Sequence, residues 1–165
     1  MRETIDAQRR FFETGKTLDV KARIVALKRL KKGIKAFEPR ILSALKADLG
    51  KSATEAYMTE VGMTLAELSF MLKHTKKFAR KRFVKTPLAQ FYAKTYELRV
   101  PYGVALVMSP WNYPFMLTLE PLADAIAAGY TAILKPSAYS PATSAVIKKL
   151  ITAVFPEEYV AVIEG

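Results

Sequence analysis

The sequence predicts an α/β chain in which N-terminal helices lead into the start of a parallel sheet. Three observations carry this. Residues 1–80 show apolar positions at helical spacing between capping signals. From residue 104 onward, short strand-like runs alternate with helix-like stretches in the order βαβαβ. Those runs are apolar on both faces, as buried parallel strands are.

The helices come first. Arg2 to Thr14 carries Ile5, Arg9 and Phe12 in helical spacing, and Gly15 is a natural stop. Asp19 can cap a second helix, with Val20, Ile24, Leu27, Leu30 and Ile34 on one face. Pro39 is expected to end or bend it, and a further helix is expected to run to about Leu49, closed by Gly50. Ser52, with Glu55 three residues later, reads as a capping box. Met58, Val61, Leu65, Leu68 and Leu72 form the stripe behind it, expected to pack in the core.

The run Lys73 to Lys85 is dense in Lys and Arg and ends at Thr86-Pro87. Phe91 to Val100 alternates Tyr, Phe, Thr and Val in a way that predicts one or two strands. Then come Val104 to Met108 as a strand, Phe115 to Ala128 as a helix stopped by Gly129, and Tyr130 to Leu134 as a strand. Ser140 to Val154, with Pro141 at its start, is a helix, and Tyr159 to Ile163 is a third strand. This sheet is expected to be covered by helices on both sides.

Composition limits the chemistry. The 165 residues suffice for one domain with a core, and the hydrophobic and charged shares of 51% and 25% are those of a globular chain. With no cysteine, there is no disulfide, thiolate metal site or cysteine nucleophile within these residues. A single His74 leaves little for a metal site or a histidine-based triad. No apolar run approaches the roughly 20 residues that span a bilayer, and the N-terminus has no signal-peptide core. A cytoplasmic location is expected.

Charge is uneven. Residues 1–99 hold 23 of the 26 Lys and Arg but 10 of the 15 acids, while residues 100–165 hold 3 basic and 5 acidic residues. A basic half raises nucleic-acid binding as a reading. However, the basic residues fall on polar faces of amphipathic helices and no recognition motif is present. They read as solvated faces, and no nucleic-acid partner is expected.

In an open parallel sheet, ligands gather at the carboxyl ends of the strands. After the first strand stands Ser109-Pro110-Trp111-Asn112-Tyr113-Pro114, a loop stiffened by two prolines. Asn112 there either offers its amide to an oxyanion or bonds its own backbone in a turn. After the second strand stands Lys135-Pro136-Ser137. Lys135 either meets a phosphorylated or hydroxyl-rich ligand or is a solvated strand-end lysine. No Gly-x-Gly-x-x-Gly follows the first strand and no Gly-x-x-x-x-Gly-Lys-Ser/Thr occurs, so the usual phosphate-cradling loops are absent from this sequence.

The run Pro101 to Phe115, with Pro110-Trp111-Asn112-Tyr113-Pro114 at its centre, resembles the aldehyde dehydrogenase superfamily. Pro121-Leu122, Ala125 to Gly129 and Leu134-Lys135-Pro136-Ser137 follow at the family's spacing. Asp48-Leu49-Gly50-Lys51-Ser52 and Glu55 to Glu60 resemble its class 3, fatty-aldehyde branch. The resemblance covers essentially the whole chain. It implies the N-terminal part of an aldehyde dehydrogenase fold, an incomplete one, with the start of a Rossmann-like sheet.

Several expectations follow from that resemblance. Such enzymes oxidise aldehydes to carboxylic acids with NAD or NADP, through a cysteine thiolate and a general-base glutamate. Asn112 matches the asparagine that helps hold the oxyanion, and Lys135 matches the lysine that bonds the adenosine ribose. Ser109, Pro110 and Trp111 match the segment lining the cofactor, largely through backbone, and Ser137 belongs to the same site. Ala138 stands where NAD-preferring members usually carry a glutamate on the ribose 2′-hydroxyl, so NADP use is expected beside NAD. The Gly-rich turn, the glutamate and the cysteine would all follow the position matching Gly165, so this chain alone is expected to be inactive. Residues 1–85 would be the helical segment of the cofactor-binding domain. Residues 86–101 would be a β arm of the oligomerisation region, implying a homodimer, and residues 102–165 a partial NAD(P)-binding domain. The alternative is a non-catalytic truncated product that acts as a dimerisation module.

Overall fold

The computed structural model describes residues 2–164. Helices dominate the first half: α1 (Arg2–Glu13), α2 (Val20–Leu49), the short α3 (Ala53–Ala56) and α4 (Gly62–Phe78). A π turn, Tyr57–Val61, joins α3 to α4. Two short antiparallel strands follow, β1 (Arg82–Phe83) and β2 (Tyr96–Glu97). The second half is β3 (Val104–Met108), α5 (Met116–Ala128), β4 (Thr131–Lys135), α6 (Pro141–Val154) and β5 (Val160–Val162). β3, β4 and β5 form a parallel sheet in that order, with Val104 beside Thr131 and Ala132 beside Val160. The predicted βαβαβ half is therefore present.

The predicted helix ends form, and of the predicted capping box the Ser52 half forms. Gly15, Gly50 and Gly129 all adopt positive φ at helix ends. Asp19 Oδ1 accepts from the Lys21 N–H at 3.0 Å, and Ser52 Oγ accepts from the Glu55 N–H at 3.2 Å.

Four expectations change. Pro39 does not divide the second helix: α2 runs unbroken through it. The proline and Lys35, whose carbonyl loses its helical partner, both face solvent, so water can take that carbonyl. Met58 is not in the core but 68% exposed, whereas Glu60 is fully buried. The π turn inserts one residue and rotates the buried face by about 100° from a helical projection. Of the stripe, Val61, Leu65 and Leu68 are buried and Leu72 packs at its margin. Only Tyr96–Glu97 of the region 91–100 is strand, and its partner Arg82–Phe83 comes from the basic run that pattern alone assigns to helix faces. The ribbon therefore begins before residue 86.

The last change concerns the sheet. Its two crossovers run the same way, which puts α5 and α6 on one face. That face carries Val107, Leu134 and Val160, packed into one core with Leu27, Leu30, Ile34, Leu122, Ile126 and Ile147. α2 and α6 pack so closely that a Cβ on Gly33 would lie 2.6 Å from Val154 Cγ2. The other face is touched by α1, whose buried Gln8 donates to the Ala132 carbonyl at 2.8 Å. Leu106 and Met108 on that face remain 60% and 68% exposed. The sheet is covered fully on one side and partly on the other.

Candidate active site

The carboxyl ends of β3 and β4 lie side by side, since Met108 pairs with Lys135 and the Ser109 N–H donates to the Lys135 carbonyl at 3.2 Å. The two loops picked out by sequence thus leave from adjacent points. Ser109 is buried, and its hydroxyl meets Thr118 Oγ1 at 2.5 Å; Thr118 Oγ1 in turn donates to the Pro114 carbonyl at 2.6 Å. The Ser109 side chain therefore ties the loop's entrance to α5, leaving only its backbone for a ligand. Pro110, Trp111 and Asn112 are exposed. The Asn112 amide makes no hydrogen bond to the described residues, so the self-bonded turn is not the geometry here.

The loop's exit is held from a distance. Glu60 Oε2 accepts from the backbone N–H groups of Phe115 at 2.8 Å and Met116 at 3.3 Å, at the start of α5. Lys51 Nζ donates to Glu60 Oε1 at 2.5 Å and lies 4.2 Å from the centre of the Tyr113 ring. Both charges are buried, and each satisfies the other.

Lys135 is half-buried at the end of β4. In the loop beyond it, Ser137 Oγ accepts from the Tyr139 N–H at 3.1 Å and Ala138 is exposed. The start of α6 is also filled by a distant carboxylate, because Asp48 accepts from the N–H groups of Ala142 at 3.1 Å and Thr143 at 2.7 Å.

These caps decide where an anion could sit. Helix N-termini at strand ends are the ordinary seats for a pyrophosphate. Here Glu60 and Asp48 occupy both, and a third anion would meet a carboxylate at either. Among the described residues neither of these two helix starts is left open as a phosphate cradle. Sequence reasoning missed Asp48, Lys51 and Glu60 as the residues that hold these two loops. Their signal was present, since all three lie in the segments that resemble the class 3 branch.

The chain is an α/β protein whose parallel sheet carries an asparagine loop and a lysine loop at adjacent carboxyl ends. The chain belongs to the aldehyde dehydrogenase family, whose model matches residues 1–165. It is 48% identical over 155 residues to the 4,4'-diaponeurosporen-aldehyde dehydrogenase of Staphylococcus aureus, covering 94% of this chain and 34% of that protein. It is 38% identical over 157 residues to aldehyde dehydrogenase family 3 member H1 of Arabidopsis thaliana, covering 95% and 32%. Among solved structures, the substrate-bound Staphylococcus aureus AldH superposes with a TM-score of 0.96 at 45% identity, over 99% of this chain and 36% of that one. The chain thus spans about a third of the length of the relatives it matches. Class 3 members are among these relatives, as the resemblance implied.

Proposed function

We propose that this chain is the N-terminal part of an enzyme that oxidises an aldehyde to a carboxylic acid with NAD or NADP, supplying an oxyanion donor and part of the cofactor site but no nucleophile. The observation that carries this reading is Asn112. Its amide is exposed, makes no bond to the described residues, and stands on a loop fixed at entrance and exit. A donor held in advance stabilises charge that develops only in the transition state. The cofactor, when bound, takes up the hydride. Lys135 and Ser137 hold its ribose hydroxyls, and Pro110 and Trp111 line it beside the Ser109 backbone. Ala138 places no carboxylate where a 2′-phosphate would sit, so NADP is accepted beside NAD. A strong preference for NAD in the full-length protein would contradict that last point.

In the same reading residues 1–85 and 102–165 belong to the cofactor-binding domain. The arm at residues 86–101 pairs subunits in a homodimer, and the enzyme works in the cytoplasm. The test is Asn112→Ala in the full-length protein. We expect kcat to fall roughly 100- to 1000-fold, with the KM for aldehyde little changed. An unaltered kcat sinks the assignment.

One observation favours the interaction-module reading. Leu88, Phe91 and Tyr92 of the arm are all about four-fifths exposed or more. Gel filtration of the chain with a full-length aldehyde dehydrogenase subunit separates the readings, since a module must co-elute with it.

A further inference from the structure

We infer that Glu60 is a positioning residue for the Asn112 loop, acting through the start of α5. This rests on the role proposed for Asn112. The first turn of a helix leaves backbone N–H groups without partners. The usual remedy is a Ser, Thr, Asp or Asn at the cap position. At α5 that position is Phe115, which is fully buried and has no acceptor. The fold instead brings in a carboxylate from 55 residues upstream. A wholly buried carboxylate is costly unless every lone pair is used. Glu60 uses one oxygen on Lys51 and the other on Phe115 and Met116. Through Lys51, the same pair also rests on the Tyr113 ring. Tyr113, Phe115 and Met116 are thus all referred to one buried charge pair, and Asn112 is the residue immediately before them.

The backbone at Glu60 is shaped for this task. The Gly62 N–H donates to the Tyr57 carbonyl, closing the π turn. A Cβ on Gly62 would lie 2.9 Å from that carbonyl oxygen, so glycine permits the turn. π turns of this kind cluster at functional sites. This one turns Glu60 inward and Met58 outward. A local cap would fix α5 only relative to its own loop. A cap delivered through the π turn fixes the loop relative to the helical layer behind it.

The experiment is a double-mutant cycle in the full-length protein with Glu60→Gln, Asn112→Ala and the pair. We expect Glu60→Gln to lower kcat by roughly 10- to 100-fold, as small misplacements of a donor do, with KM for the aldehyde little changed. Its effect should largely vanish on the Asn112→Ala background, because both changes remove one interaction. Amide exchange at Phe115 and Met116 should speed up in Glu60→Gln. Should the single variant fail to fold, Lys51→Met with Glu60→Gln replaces it, leaving no buried unpaired charge. Additive losses, or a silent Glu60→Gln beside a damaged Asn112→Ala, overturn the positioning role alone. A silent Asn112→Ala overturns the oxyanion reading and this one with it.

Discussion

At the scale of single residues, Arg23 shows how the far end of α5 is held. Its guanidinium is nearly buried, and donates to the carbonyls of Thr17 at 2.8 Å, Leu18 at 3.0 Å and Ala127 at 3.2 Å. Burial pushes its pKa below the ordinary arginine value, against the opposing pull of Tyr159 and Asp19. A Cβ on Gly129 would lie 2.7 Å from Arg23 Cζ, so the glycine both ends the helix and makes room for the cation. Arg23→Met fills the space but leaves those carbonyls without a donor. We expect a loss of about 1–3 kcal/mol in chemical denaturation, and an unchanged midpoint would refute it. The acidic side of the same helix should respond to pH. Burial, then the charge of Glu67 and a hydrogen bond with it, raise the pKa of Asp124; burial, Glu67 and Asp124 raise that of Glu120. A carboxyl whose pKa rises on folding favours the folded state most at pH values below its unfolded pKa. That contribution is lost as pH rises through the folded value. Asp124→Asn should therefore raise the melting temperature at neutral pH, and the gain should shrink toward pH 4. Glu120 and Asp124 stand four apart on α5, where like charges cost about 0.2–0.5 kcal/mol. Thermal melts across that range check the sign, and a gain that grows on acidification would be the wrong one.

Elements show which parts of the molecule can be read locally. β3 and β4 were legible because a short apolar run between a break and a glycine is a local pattern, and α5 because Gly129 marks its end. The helix end expected at Pro39 is absent because the rule for proline assumes that the freed carbonyl has no other partner. On the exposed side of α2 water can take it. Replacing Pro39 by Ala restores the N–H and a better helix former, offset by a looser unfolded chain. We expect a gain of about 1–2 kcal/mol in urea denaturation, and a loss would show that the proline serves the packing of α2. Met58 falls outside the core because one inserted residue in the π turn offsets it from the stripe that follows, and no local signal announces the insertion. The ribbon β1–β2 was half legible: the Tyr-rich strand shows its alternation, but its partner is Arg82–Phe83 at the end of a basic run. The site divides the same way. Asn112 and Lys135 could be picked out as candidates because one lies in the loop after β3 and the other at the end of β4. Glu60 and Asp48 act on helices that lie 55 and 94 residues downstream, and spacing along a chain carries no trace of such a meeting.

On the scale of the whole molecule, the surface is divided between a finished and an unfinished side. Most basic residues of the helical layer lie in solvent, Arg23 and Lys51 being buried. The sheet is not closed: β3 is an edge strand, and Leu106 and Met108 expose most of their side chains on the face that α5 and α6 do not cover. Phe83, Leu88, Phe91 and Tyr92 add a second apolar area on and beside the ribbon. Contiguous apolar surface next to an open strand edge is rarely left in water by a stable monomer. The net charge of +11 opposes association, since like charges on every copy repel. Salt screens that repulsion over roughly 10 Å at 0.1 M, while the apolar contact is unaffected by screening. The chain by itself should therefore associate in a concentration-dependent way, and more strongly as salt rises. If the basic half were instead driving assembly on anionic contaminants, salt would dissolve the complexes. Sedimentation at two ionic strengths separates the cases. Leu106→Lys with Met108→Lys should restore the monomer at either salt concentration without altering the helical signal, because neither side chain belongs to the core. A double variant that still associates would move the contact from the sheet face to the ribbon.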